Sequence, residues 1–86
     1  MKAVVIGLGS MGKRRIRCLQ ALGVVDIVGV DLRADRREEA ELRYGVRTQA
    51  ELTPLWTAFR PDVAIISLPP KAHVGAMRAC VSHRVP

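Results

Sequence analysis

Aromatic side chains are almost missing from this 86-residue chain, in which Tyr44, Trp56 and Phe59 stand alone. A core built from it must rest on Val, Ile, Leu and Ala, the usual composition of a parallel sheet covered by helices. No interleaving of aromatic and basic residues offers a base-stacking surface for nucleic acid. Cysteine is scarce as well. Cys18 and Cys80 are far apart and form no Cys-x-x-Cys pair; both fall in helical patterns and read as small apolar fillers, so no metal site is assigned. No apolar run approaches the roughly twenty residues needed to span a membrane. The opening apolar run is only strand-length and feeds straight into glycines, unlike a signal peptide. The expectation is a soluble, cytoplasmic chain with no membrane partner.

Acidic residues are also in deficit, 8 against 14 Lys and Arg, for a net charge of +6. That excess invites a nucleic-acid reading, but its distribution argues against one. Lys13, Arg14, Arg15 and Arg17 lie on the first predicted helix, and Arg33, Arg36, Arg37 and Arg43 surround the second, where Glu38, Glu39 and Glu41 interleave with them. These read as solvated helix faces that also steer an anionic cofactor. The length is short against a usual domain of roughly 100 to 150 residues. It is expected to be the amino-terminal part of a larger dinucleotide-binding domain, truncated before the remaining strands and without a substrate domain.

What is present is organised around residues 1–33. An apolar run over residues 2–6 leads into Gly7-Leu8-Gly9-Ser10-Met11-Gly12, then a helical pattern, a second apolar run and Asp31. This order is the dinucleotide fingerprint. Gly7 turns the chain off the strand, Gly9 lets bare backbone approach a pyrophosphate, and Gly12 lets the helix pack closely on the sheet. The helix N-terminus faces the phosphates. Asp31, roughly twenty residues on, is placed to accept the hydroxyls of the adenosine ribose, with Leu32 and Arg33 beside it. A glycine-rich corner without a ligand accounts for the glycines but not for Asp31.

Periodicity predicts a first helix over 11–22, with Gly12, Ile16, Leu19 and Gln20 on one face, Cys18 and Leu22 beside them, and Gly23 as its cap. A strand over 24–30 follows, with Asp26 placed in the loop before it. Asp35 and Glu38 form a capping-box-like start to a second helix, which Gly45 ends. A short strand over 46–49 precedes a short helix that Thr53 caps, with Pro54 at its first position; Leu55, Trp56 and Phe59 are buried, and Arg60-Pro61 stops it. Residues 62–68 form a fourth strand ended by Pro69-Pro70. A last helix over 71–82 turns Val74, Met77, Cys80 and Val81 inward, and Arg84-Val85-Pro86 reads as the loop into another strand. The fold class is therefore α/β, a Rossmann-like parallel sheet in the order 3-2-1-4 with its ligand crevice at the carboxyl ends of the strands. The fourth strand is left as an open edge, for which self-association into a homo-oligomer is the expected cover.

With these residues assembled, the sequence resembles the amino-terminal part of the Gfo/Idh/MocA oxidoreductases. The likeness is carried by residues 5–23, with Gly-Leu-Gly-Ser-Met-Gly-Lys-Arg, and by residues 61–73, with Pro-Asp-Val-Ala-Ile-Ile-Ser-Leu-Pro-Pro-Lys-Ala-His. The resemblance implies a nicotinamide cofactor, a sugar-like or cyclitol substrate, and hydride transfer to or from a secondary alcohol or ketone. It places Gly7, Leu8, Gly9, Ser10, Met11 and Gly12 on the pyrophosphate, Asp31 on the adenosine ribose, and Ser67, Leu68, Pro69, Pro70 and His73 by the nicotinamide half. Arg15 stands where the family commonly has histidine, and Leu68 where it has threonine, which removes one hydroxyl contact to the cofactor. The family's Glu-Lys-Pro motif and later catalytic residues would lie beyond Pro86, so no catalytic residue is assigned and the chain alone is expected to be inactive. His83, in a last helical turn, suits the negative dipole end and needs no function.

Asp31 disfavours a ribose 2′-phosphate and so predicts NAD, while Arg33 and Arg36 lie close enough in sequence to pair with one and keep NADP as the alternative. A second functional reading, a non-catalytic nucleotide-sensing regulatory module, needs the same glycines and Asp31. The Pro-Pro-x-x-His turn favours the enzyme.

Overall fold

Strand β1 (Lys2–Ile6) is buried from its second residue to its last, as an apolar run can be only at the centre of a sheet covered on both faces. The structure, a computed structural model, describes residues 1–68 and 70–82, the side chains of residues 70–73 excepted. Its elements after β1 are α1 (Ser10–Ala21), β2 (Asp26–Val30), α2 (Ala34–Tyr44), β3 (Arg47–Gln49), α3 (Leu55–Ala58), β4 (Val63–Ile66) and α4 (Pro70–Ser82). The four strands are all parallel, in the order β3-β2-β1-β4. Ile6 pairs with Val30 on one side and Ile66 on the other, so three strands end level with one another.

The alternation of side chains along β1 divides the core into two. Val4 and Ile6 pack with Val28, Val30, Leu55, Phe59, Ala76 and Cys80, the face covered by α3 and α4. Val5 points the other way, with Leu8, Ile16, Ile27, Ala40 and Val46 under α1 and α2. A 2.7 Å ion pair from Lys13 to Glu39 ties α1 to α2, and the Lys13 ammonium holds the Glu39 carboxyl below its ordinary range. Among the described residues no helix is long and apolar enough to cross a membrane.

Several expectations are corrected. Asp26 belongs to β2, opposite Lys2, while Val25 before it is exposed. Cys18 and Leu22 are exposed rather than packed, because the core takes the line of Gly12, Ile16 and Leu19 from α1; Gln20, expected on that face, is exposed and donates to the Tyr44 carbonyl at 2.8 Å. No capping box forms on α2: Arg33 occupies the cap position without a side-chain bond, and the Asp35 carboxylate is taken by the Arg33 guanidinium. Thr53 does not cap α3, whose cap position is Pro54. On α4 the buried residues are Ala76 and Cys80, while Val74, Met77 and Val81 are exposed. With β4 at the edge, α4 has only the margin of the sheet to lie on, which buries a narrow line one turn long. Pro69, the side chains of Pro70 and His73, His83 and the 84–86 loop lie outside the described residues.

The two cysteines make a direct check of this packing. Cys80 is 5% exposed and burial pushes its thiol up, whereas Cys18 faces solvent. Thiolate availability and access set reactivity. A disulfide reagent is therefore expected to titrate one thiol quickly, Cys18, and the second only in denaturant. Two fast equivalents would show that α4 does not cover Cys80.

Candidate functional site

The strand ends make the site. Immediately after β1, Gly7 turns with φ +97°, a region side chains disfavour, and its N–H donates to the Val30 carbonyl at 2.7 Å. A Cβ on Gly7 would stand 2.5 Å from the Ser67 carbonyl oxygen, and the Ser67 N–H donates to Ile6 at 2.7 Å. The turn is thus wedged between the ends of β2 and β4. Leu8 then dives under the loop, fully buried, into space that exists because β2 carries Gly29: a Cβ there would meet the Leu8 side chain at 2.7 Å. Leu8 accordingly presents only its backbone to the crevice.

Gly9 occupies the cap position of α1 and supplies no side-chain cap bond. Among the described residues nothing but the Arg36 guanidinium lies within 4 Å of where its Cβ would be. Ser10 and Met11, the first turn of α1, are exposed. Gly12 is the tightest point, because a Cβ there would fall 1.7 Å from the Gly7 carbonyl oxygen. The first turn of α1 therefore lies directly on the loop, with the start of the helix and its dipole aimed along the open side of the crevice.

Asp31 follows β2 and holds the corner from across the gap. Its N–H donates to Gln49 at 3.1 Å, and its carboxylate accepts from the Leu8 N–H at 2.8 Å and from the Arg33 N–H at 2.9 Å, one bond to each oxygen. The side chain is 8% exposed. Each carboxylate oxygen retains further acceptor capacity. Arg37 braces the same turn by donating to the carbonyls of Asp31 at 2.9 Å and Leu32 at 3.0 Å. Beside Asp31 runs a mostly apolar groove whose walls include Ile6, Val30, Leu32, Leu52 and Leu68.

The structure therefore brings together Gly7, Leu8, Gly9, Ser10, Met11, Gly12, Asp31, Leu32, Ser67 and Leu68 at one end of the sheet. The Arg33 side chain turns aside to Asp35, leaving its N–H on Asp31. Three residues were not singled out for the site from sequence: Gly29, Arg37 and Leu52. A glycine inside an apolar strand was the available signal for the first. Arg37 and Leu52 had none, since one acts through backbone carbonyls and the other through a groove wall made by distant elements.

A family model described as the oxidoreductase family with an NAD-binding Rossmann fold, Gfo/Idh/MocA, matches residues 1–86. No curated protein matches the chain. Among solved structures it is similar to the WlbA dehydrogenase of Chromobacterium violaceum, in complex with NADH and UDP-GlcNAcA, at 18% identity and TM-score 0.85, over 99% of this chain and 25% of that one. It is similar to myo-inositol 2-dehydrogenase of Lactobacillus plantarum at 24% identity and TM-score 0.86, over 99% of this chain and 26% of the other. A third is scyllo-inositol dehydrogenase of Lactobacillus casei with NAD(H) and scyllo-inositol, at 16% identity and TM-score 0.79, again over 99% and 26%. At these identities the likeness is one of fold. The chain spans about a quarter of the length of the solved chains it matches.

Proposed function

The chain belongs to the Gfo/Idh/MocA oxidoreductase family as its NAD-binding Rossmann domain, and from that premise we propose that it is the cofactor-holding part of a cytoplasmic dehydrogenase acting on a sugar- or cyclitol-like secondary alcohol or ketone. One observation carries the residue assignment: a nearly buried carboxylate, Asp31, is fixed by two backbone N–H groups at the mouth of the glycine turn. A carboxylate held this way is oriented before the ligand arrives, so ordering it costs nothing on binding.

In this reading the backbone from Gly7 to Gly12 cradles the pyrophosphate, which can come close because Gly9 carries no side chain there. Asp31 accepts from the adenosine ribose hydroxyls, and the apolar groove beside Leu32 and Leu52 takes the flat adenine ring. Ser67 abuts Gly7, and Leu68 reaches both Gly7 and the groove beside Asp31; with Pro69, Pro70 and His73 they are assigned to the nicotinamide half by family resemblance. Bound nicotinamide supplies the hydride donor or acceptor. This chain's residues bind and orient it, and the substrate-contacting groups are assigned to none of them. The dehydrogenases of similar fold, solved with a sugar nucleotide or an inositol, support the substrate class.

Calorimetric titration of the chain with NADH tests the reading. Saturable binding that competes with NAD+ is the expected result. A folded chain, by circular dichroism, that takes up neither would sink it. Turnover of inositols or sugar nucleotides by the natural gene product then separates an enzyme from a nucleotide sensor, which would bind cofactor without oxidising them.

A further inference from the structure

The connection from β2 to α2 consists of Asp31, Leu32 and Arg33, and one residue gathers the carbonyls of all three. A terminal nitrogen of the Arg37 guanidinium donates to Asp31 at 2.9 Å and to Leu32 at 3.0 Å, while the Arg37 backbone N–H donates to Arg33 at 3.2 Å. The two arginines before it are used differently. Arg33 gives its guanidinium to Asp35, and Arg36 leaves a terminal nitrogen 3.7 Å from Asp31 Oδ2, too long for a hydrogen bond. Among the described residues Arg37 is not part of the wall of the groove beside Asp31, whereas Asp31 and Leu32 both are. Its hold on the site is therefore indirect.

The Arg37 bond completes the fixing of Asp31. With it every polar group of that residue has a partner: the N–H donates to Gln49, the carbonyl accepts from Arg37, and the two carboxylate oxygens accept from Leu8 and Arg33. Without it the connection is held through Gln49 alone on its β2 side, and the aim of the carboxylate follows a backbone free to rock. A group that must be ordered as the ligand arrives binds more weakly than one already in place.

We infer that Arg37 is a positioning residue for the cofactor: it makes no contact with it and sets how tightly the adenosine half is held, by fixing the turn that carries Asp31 and Leu32. The inference rests on the dinucleotide reading above. Both side-chain bonds come from one nitrogen, so the planar fork of a guanidinium is not required, and a lysine ammonium has donors enough to replace them.

The test is calorimetric titration of the parent chain and its Arg37→Met, Arg37→Gln and Arg37→Lys variants with NADH at about 0.1 M and about 1 M salt. The Leu8 amide proton is followed by NMR in the same proteins without ligand, and circular dichroism checks the fold. Arg37→Met is expected to weaken NADH by about 3- to 30-fold at both salt concentrations and to move the Leu8 amide upfield, as its bond to Asp31 loosens. Arg37→Gln, whose amide stops two bonds short, should behave alike and carries the test if Arg37→Met does not fold. Arg37→Lys should return NADH affinity to within about threefold of the parent and restore the amide shift. A residue needed only for stability would lower the denaturation midpoint and leave the Leu8 amide of the folded protein where it was, which overturns the inference. Parent-like NADH affinity in Arg37→Met and Arg37→Gln overturns it too. So does a loss confined to low salt, because Arg37 then acts as an exposed charge that attracts an anion. A parent chain that refuses NADH removes the dinucleotide reading and the inference with it.

Discussion

Replacing Gly12 by alanine is expected to cost this chain about 3 kcal/mol of stability or more and to abolish measurable NADH binding. The added Cβ would sit 1.7 Å from the Gly7 carbonyl oxygen and 2.7 Å from its carbon, and both are backbone atoms with no rotamer to retreat into. Relief requires α1 to lift off the loop. Ile16, one turn further along, is fully buried in the core under that helix and moves with it. Domains hold about 0.05 to 0.15 kcal/mol per residue, so for a chain of this size the loss is a large share of the whole. Gly75→Ala is the control: it lies within α4, has nothing among the described residues within 4 Å of its Cβ position, and should stabilise by about 0.5 to 1 kcal/mol. Urea denaturation of the three proteins decides the matter. A Gly12→Ala protein as stable as its parent would mean that the helix start does not pack on the loop as described.

Asp31→Asn should be nearly as damaging as Asp31→Ala, although it keeps the size and shape of the side chain. The carboxylate receives one N–H on each oxygen, from Leu8 and from Arg33. An amide can accept only one of them and turns its own NH2 toward the other donor. A part-buried donor left without a partner costs about 1 to 3 kcal/mol, and the Asn variant should lose about that much. NADH affinity should fall about 10- to 100-fold, because the ribose loses a charged acceptor and the glycine turn loses its tether. Denaturation and cofactor titration together separate the two roles. Lost affinity with full stability would leave Asp31 as a ligand contact only; full retention of both would remove it from the site.

The glycine turn and its acid were legible because both are chemical necessities at particular spacings. Only a residue without Cβ fits at Gly7 and Gly12, and only a carboxylate accepts twice at Asp31. The second role of that carboxylate, as the tether of the Leu8 backbone, was not legible, since it depends on Leu8 being pulled under the loop by the space over Gly29. The failures elsewhere have the same origin. Asp35 is three residues before Glu38, as a capping box requires, yet the helix starts one residue earlier, at Ala34, and the Asp35 carboxylate pairs with the neighbouring Arg33 guanidinium. Val74, Met77 and Val81 have inward-looking spacing on α4, but spacing does not say how much sheet lies beneath the helix.

By itself the sequence determined the class of the fold, the alternation of strands and helices, the order of the parallel strands and the position of the glycine-rich turn. Each of these follows from local patterns: apolar runs of strand length, helical periodicity, and glycines where the backbone must turn or approach. Tertiary structure alone decided which face of each helix is buried, which cysteine is shielded, and which of three neighbouring arginines is left facing the site. Those outcomes depend on partners brought together from distant parts of the chain, and pairing energies between such groups have no local signature.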